Sequence, residues 1–254
     1  LNWKKWLEMC PRLTDPYKKK LPIVILARAR QLIEALYILF QKPICGRNCF
    51  IDPTVYFVGR DNIIIGNNTF IGKDSWFNVN HRDVSNKAIV IDDNIIIGWR
   101  AFFSSGKLIH IKSYTMITHG CHFLGADHIV DDPFTPYTLS GINSEKTIII
   151  GVNCWLGNGV TVMGGVTIGH GSVIGAASLV TKSIPPFSIA VGSPCRVIKR
   201  YDFIVNKWVN IDDYIIDNDI YIPTEEDYLS ALKQKYPVVN ISTYSVTNRF
   251  GDLS

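Results

Sequence analysis

The most regular feature of the chain is a large aliphatic residue at every sixth position between residues 150 and 180. These residues are Ile150, Leu156, Val162, Ile168, Ile174 and Val180. Glycine follows four of the six, and a small or β-branched residue stands four positions after each. A six-residue unit is too short for a helix plus a strand, so the pattern predicts a short strand followed by a corner, with the aliphatic side chain inward. Three units then form one triangular coil of about eighteen residues, and stacked coils bury a continuous core.

The same spacing recurs upstream and extends the predicted solenoid. The earlier triplets are Ile65, Ile71 and Phe77, then Ile91, Ile97 and Phe103, then Ile111, Ile117 and Phe123. Between triplets the chain carries extra residues around His81 and Gly106, and one longer polar loop over residues 128–146. A loop that leaves a rigid solenoid is an expected functional site.

This periodicity divides the chain into three parts. We expect a helical N-terminal arm over residues 1–48, the solenoid over residues 49–200, and an extension over residues 201–254 that contains a short helix. Thr224 precedes a run of acidic residues and is the expected N-cap of that helix.

The N-terminal arm contains the longest apolar stretch, residues 21–40. Arg28, Arg30 and Glu34 within it argue against a transmembrane span. Three lysines precede the stretch, which leaves two positions open: packing on protein, or peripheral contact with a membrane surface. We expect no secretory signal peptide. We therefore expect a cytoplasmic protein, with a place at the periphery of the inner membrane as the alternative.

Composition narrows the functional classes. The chain has 254 residues, 47% of them hydrophobic and 19% charged, which excludes a disordered chain. The formal net charge of +4 comes without a basic stripe interleaved with aromatic residues, so we expect no nucleic-acid partner. The six cysteines form no CxxC pair; we expect free thiols and no metal site.

Three segments resemble the hexapeptide-repeat acyltransferases. The run LGADHIVDDPF at residues 124–134 resembles the catalytic loop of the xenobiotic acetyltransferases. VTKSIPP at residues 180–186 and GSPCRVIKR at residues 192–200 resemble the closing coil of the galactoside and maltose O-acetyltransferases. The resemblance implies an all-β solenoid, a left-handed parallel β-helix, although parallel crossovers are usually right-handed. It also implies a homotrimer that uses acetyl-CoA and binds a small-molecule or saccharide acceptor.

The resemblance also implies roles for individual residues. His128 matches the catalytic histidine, and an imidazole suits this task because an alcohol needs a base near neutral pH. Asp127 stands where the family commonly has asparagine, and we expect it at the acceptor. Asn78 resembles the sugar-binding asparagine, with Asn80 as its rival. Trp155 matches a tryptophan near the thioester, and packing on a neighbouring subunit is an equal alternative.

The narrow pantetheine arm of coenzyme A needs a smooth wall of small residues, and its phosphates need positive charge. The resemblance places that wall at Ala176 and Ala177. The matching cations are Lys182, Arg196 and Lys199, for which an ordinary solvated basic run is the alternative.

These residues together predict an acetyl-CoA-dependent O-acetyltransferase that acts on a sugar of a surface polysaccharide, with His128 as general base. An antibiotic O-acetyltransferase and an amino-sugar N-acetyltransferase stay open as alternatives. A γ-carbonic-anhydrase-like zinc enzyme is less favoured, because the residue five positions before His119 is Tyr114 rather than histidine. A non-catalytic scaffold is the remaining alternative.

Overall fold

The computed structural model describes residues 44–80, 86–214 and 221–239. Most of the predicted N-terminal arm lies outside these residues, and so does His81. The described chain winds through three parallel sheets in turn, here called A, B and C. Each sheet forms one side of a triangular prism, because consecutive strands enter A, then B, then C.

The strands are short, as the six-residue period requires. Sheet A contains β1 (Ile44–Cys45), β4 (Ile63–Ile65), β7 (Ile89–Ile91), β10 (Leu108–Ile111), β15 (Thr147–Ile150) and β18 (Thr167–Ile168). Sheet B contains β2 (Phe50–Ile51), β5 (Phe70–Ile71), β8 (Ile96–Ile97), β11 (Met116–Ile117), β16 (Trp155–Leu156), β19 (Val173–Ile174), β21 (Ser188–Val191), β22 (Arg196–Asp202) and β23 (Lys207–Asn210). Sheet C contains β3 (Tyr56–Val58), β6 (Trp76–Val79), β9 (Phe102–Ser105), β12 (His122–Leu124), β17 (Thr161–Met163) and β20 (Leu179–Val180).

The predicted inward column is the core of the prism. The three aliphatic or aromatic residues of each triplet are buried, one on each side of the coil. On sheet C the rings of Phe57, Phe77, Phe103 and Phe123 stack along the axis, with centroids 5.1, 4.4 and 4.5 Å apart. The six-residue spacing therefore predicted both the core residues and the strand positions.

All the extra residues leave the prism at one corner, between sheets C and A. Successive core positions from A to B and from B to C are six residues apart in every coil. The passage from C to A varies: Val162 to Ile168 takes six residues, whereas Phe123 to Ile150 takes twenty-seven. Within the described chain, the longer passages contain the turn Arg60–Asn62, residues 86–88, residues 106–107 and residues 125–146. This C–A corner is consequently where an active site has room to form.

The ends of the prism differ from the expected boundaries. Strand β1 pairs in parallel with β4, so sheet A begins inside the segment assigned to the N-terminal arm. At the other end β21, β22 and β23 are antiparallel neighbours in sheet B, and the chain stops coiling after Val191 rather than at residue 200. The segment GSPCRVIKR therefore lies on this antiparallel ribbon.

The C-terminal segment packs along the A–B corner and contacts successive coils; helix α1 (Glu225–Lys235) with Thr224 is here called the strap. Helix α1 begins where the sequence predicts, and the Thr224 hydroxyl accepts a hydrogen bond from the Asp227 N–H. Glu225 forms an ion pair with Lys112 and accepts a hydrogen bond from the Val152 N–H at 3.0 Å. In the described part of the chain, no helix is both long enough and apolar enough to cross a membrane.

Candidate functional site

The longest loop leaves the C–A corner as a two-stranded antiparallel ribbon. Strand β13 (Asp127–His128) pairs with β14 (Ile142–Asn143), so His128 lies opposite Ile142. The His128 side chain is exposed and lines a cavity of about 740 Å³ formed by residues 127–131 and 142–146. The predicted base thus faces solvent-filled space that an acceptor can enter.

An ion pair closes the neck of this loop. Lys146 Nζ lies 2.6 Å from Asp127 Oδ2, and both side chains are partly exposed. The Lys146 carbonyl accepts a hydrogen bond from the Lys107 N–H at 2.9 Å. A Cβ on Gly106 would lie 2.2 Å from the carbonyl oxygen of Gly125 and 2.5 Å from that of Lys146, so the preceding coil needs glycine where it faces the two ends of the loop.

Amide side chains line the same corner two coils away. Asn78 donates from its amide nitrogen to Asn80 Oδ1 at 2.7 Å. Asn80 in turn donates to the Ser104 hydroxyl at 2.8 Å and to the Ser105 carbonyl at 2.9 Å. Asn78 and Ser104 are direct neighbours in sheet C, and the Ser104 carbonyl accepts from the Gly125 N–H at the loop neck. The network fixes the Asn78 amide, and its oxygen, which has no hydrogen-bond donor among the described residues, can accept from a hydroxyl.

A second, smaller cavity of about 390 Å³ opens beside the first. It is formed by residues 86–88 and 106–108 together with Ser144 and Glu145. Ser144 and Glu145 also line the cavity of His128, so one stretch of loop separates the two. The C–A corner therefore offers two adjoining spaces, one of which holds the histidine.

Trp155 lies away from His128 within one chain. It stands on the outward face of sheet B, between Met116 and Val173, and is 48% exposed. Sheet B is the side of the prism opposite the C–A corner. The two residues that the resemblance assigns to one site can meet only if Trp155 comes from a different copy of the chain.

The residues expected to hold coenzyme A lie at the last coil and the ribbon. Ala176 and Ala177 are exposed at the B–C corner, with Ala177 at φ 56°. Lys182 is exposed just after β20, and Arg196 is exposed on β22. Lys199 is partly buried on β22, paired with Ile189 and Asn210. These groups share the C-terminal end of the prism and do not surround His128 within the chain.

The described part of the chain holds no cluster of metal ligands, and two of its cysteines are poor nucleophiles. No three His, Cys, Asp or Glu side chains in residues 44–80, 86–214 and 221–239 converge as metal ligands. Burial raises the pKa of Cys121 to about 11 and that of Cys154 to about 12, so both are neutral thiols near pH 7 and are poor nucleophiles.

Sequence reasoning missed Lys146 and left Asn80 as no more than a rival of Asn78. Lys146 is the last residue before the repeat resumes at Thr147, and that position was the available sign that it returns to the loop neck. Nothing in the local sequence indicates that Asn80 would reach Ser104 in the next coil, because that contact depends on the register of sheet C.

Comparison with known proteins finds relatives that match about 70% of the chain. No family model matches the chain. It is 32% identical to the galactoside O-acetyltransferase of Escherichia coli (strain K12) over 176 residues, which cover 69% of this chain and 71% of that protein. It is 31% identical to the galactoside O-acetyltransferase of Lactococcus lactis over 194 residues, or 73% and 78% of the two chains.

Solved structures agree on the fold. The N-acyltransferase AntD from Bacillus cereus superposes with a TM-score of 0.56 at 21% identity, covering 67% of this chain and 90% of that one. The predicted fold class, a left-handed parallel β-helix, is confirmed.

Proposed function

The chain belongs to the family of the galactoside O-acetyltransferases, and we propose that it transfers the acetyl group of acetyl-CoA to a hydroxyl group of a sugar acceptor. The observation that carries the proposal is the position of His128. It is an exposed imidazole on the ribbon that leaves the C–A corner, and it lines the larger of the two cavities there. Side chains that suit hydroxyl groups lie nearby: Asp127 is next to His128, and Asn78 and Ser104 lie at the same corner in the two preceding coils.

In the proposed reaction His128 acts as general base. The acceptor hydroxyl oxygen attacks the thioester carbonyl carbon while its proton passes to an imidazole nitrogen of His128. The tetrahedral oxyanion then collapses, the carbon–sulfur bond breaks, and the departing thiolate takes the proton from the imidazolium. The products are the acetyl ester and free coenzyme A, and His128 returns to its neutral state.

The site that we propose is shared between copies of the chain in a homotrimer. Trp155 and the wall at Ala176 and Ala177 lie on sides of the prism that do not reach the C–A corner of the same chain. A neighbouring copy would supply them, together with the cations Lys182, Arg196 and Lys199 for the coenzyme's phosphates. A groove between two prisms suits a narrow pantetheine arm, because small corner residues allow close approach.

The acceptor in this proposal is a sugar of a surface polysaccharide, acetylated in the cytoplasm or at the membrane periphery. Sugar rings present the vicinal hydroxyls that a fixed amide and a serine hydroxyl recognise. An antibiotic hydroxyl and an amino sugar are the competing acceptors, and a binding scaffold is the competing role.

The test uses the full-length protein with acetyl-CoA and three acceptor sets: galactosides and capsule-type saccharides, amino sugars, and chloramphenicol. Release of free coenzyme A is followed with a thiol reagent. We expect turnover with a saccharide, and a decrease in kcat of about 10²- to 10⁴-fold for His128→Ala. His110→Gln is the matched control, because His110 lies on sheet A and pairs with Asp92. Full activity of His128→Ala would overturn the role of the base, and absence of coenzyme A binding in calorimetry would favour the scaffold.

A further inference from the structure

A stacked column of side chains runs along the B–C corner, apart from the cavities at the C–A corner. The ammonium of Lys73 lies 4.7 Å from the centre of the Trp99 ring. Trp99 in turn stacks on the His119 ring, with centroids 4.8 Å apart and an interplanar angle of 30°. The three residues come from three successive coils, so the column follows the prism axis.

Glycines in the preceding coils make room for these rings. A Cβ on Gly72 would lie 2.4 Å from Trp99 Cδ1, and a Cβ on Gly98 would lie 2.6 Å from His119 Nδ1. Each ring therefore lies directly over the backbone of the coil before it, where any other residue would push it away. The glycines of the repeat, Gly72 and Gly98, thus fix the positions of the Trp99 and His119 rings.

One hydrogen bond determines which nitrogen of His119 carries the proton. The backbone N–H of Trp99 donates to His119 Nδ1 at 2.9 Å, so Nδ1 is an acceptor. In the neutral ring the proton is then on Nε2. His119 is exposed, and Nε2 has no hydrogen-bond partner among the described residues. The corner therefore presents a fixed N–H donor to the outside of the prism.

The column leads to the wall that we assign to coenzyme A. The next two residues along the B–C corner are Asn158 and Ala176. The side-chain oxygen of Asn158 accepts a hydrogen bond from the backbone N–H of His119 at 3.3 Å. His119 itself belongs to the coil of Ile117 and Phe123, which runs directly into His128. His119 and the neck of the loop that carries His128 thus stand at the same height along the axis, on two different corners.

Rotation about an axis parallel to the prism keeps that height. In the trimer of the proposed function, with its axis taken parallel to the prism, the loop of His128 on one copy therefore faces the B–C corner of its neighbour at the level of His119. A pantetheine arm that starts at the Ala176 coil and runs toward this level brings its thioester to His119.

We propose that His119 Nε2–H donates a hydrogen bond to the thioester carbonyl oxygen of acetyl-CoA, an inference that rests on the proposed function. The bond strengthens as the hydroxyl adds to the carbonyl carbon and negative charge collects on that oxygen. The proton stays on Nε2 throughout, and His128 of the other copy handles the proton of the acceptor. His128 therefore acts as the base, and His119 acts as a hydrogen-bond donor that stabilises the developing negative charge.

The experiment compares binding of acetyl-CoA with binding of free coenzyme A, which lacks the acetyl carbonyl. Calorimetry on wild type, His119→Ala and His119→Gln gives six dissociation constants. We expect His119→Ala to weaken acetyl-CoA binding by about five- to tenfold and to leave coenzyme A binding unchanged. His119→Gln keeps a terminal N–H donor and should recover most of the loss. In turnover, His119→Ala should lower kcat by about 10- to 100-fold, with His110→Gln as the unaffected control.

The outcomes separate this inference from the proposed function. Equal weakening of both ligands, or no weakening of either, overturns the role of His119 while coenzyme A binding by the wild type still supports the acetyltransferase. Failure of the wild type to bind either ligand overturns the proposed function, and the role of His119 with it. Thermal unfolding of each variant checks that the protein stays folded without the imidazole.

Discussion

Lys146 Nζ lies 2.6 Å from Asp127 Oδ2, and this contact joins the two strands of the loop directly beside His128. The two residues are nineteen positions apart in the chain, and they enclose the whole loop between them. The ion pair balances a carboxylate that would otherwise stand unpaired next to the base. It also fixes the loop neck at the mouth of the larger cavity.

Removal of this pair should impair catalysis more than folding. For Lys146→Ala we expect kcat/KM to decrease about tenfold, since the pair is partly exposed and charge-assisted hydrogen bonds contribute roughly 1.5–3 kcal/mol at most. Lys146→Arg should recover most of the activity. In an Asp127→Asn background the same Lys146→Ala change should have little effect, because the charge it balances is gone. Equal losses in both backgrounds would show that the two residues act independently.

Asn80 should act on the acceptor through Asn78. Asn80→Ala removes the oxygen that holds the Asn78 amide, so we expect KM for the acceptor to rise about five- to tenfold with a smaller change in kcat. The double variant with Asn78→Ala should be no worse than Asn78→Ala alone, because the effect passes through that residue. Steady-state kinetics with acetyl-CoA saturating measures both values. Additive losses would contradict the proposed positioning role.

The shared site can be tested by mixing two inactive chains. If His128 and Trp155 of one site come from different copies, trimers reassembled from His128→Ala and Trp155→Ala chains contain some intact sites. Random assembly at equal amounts restores about a quarter of the sites. We expect each variant alone to show low activity and the co-refolded mixture to approach that fraction. A mixture no more active than its components would place both residues in the same chain or remove Trp155 from the site.

The strap at the A–B corner should make stability depend on pH. Burial raises the pKa of Glu225, but the hydrogen bond from Lys112, the Val152 N–H and the charges of Lys112 and His170 lower it by more, so its pKa is below the ordinary 4.5. Because the pKa of this carboxyl is lower in the folded protein than in the unfolded chain, the ionised carboxylate stabilises the fold at pH values above the unfolded-state pKa. This contribution is lost as the pH falls through the folded-state pKa.

Glu225→Gln should therefore lower the free energy of unfolding near pH 7, and the difference from wild type should shrink below about pH 4.5. Urea unfolding across this pH range measures it. Glu226→Gln removes the same charge from the same helix turn but from an exposed position, and it is the matched control. A difference independent of pH would show that the ion pair with Lys112 contributes nothing to folding.

The repeat itself was predictable from the sequence. An aliphatic or aromatic residue every six positions specifies a strand and a corner, and the buried column at Phe77, Phe103 and Phe123 lies where the period predicts. The long loop and His128 were predictable for the same reason, because they interrupt a strict period. Local pattern is sufficient here because, within the coils, each strand pairs only with strands one coil away.

The tertiary structure alone decided which side chains meet. Residues twenty or more positions apart, such as Asn80 with Ser104 and Trp99 with His119, come together through the register between coils, and that register depends on the length of every insertion at the C–A corner. The same winding puts Trp155 on the side of the prism opposite His128. The period thus determined what is buried, whereas the closure of each coil around its insertion determined the neighbours of each exposed side chain.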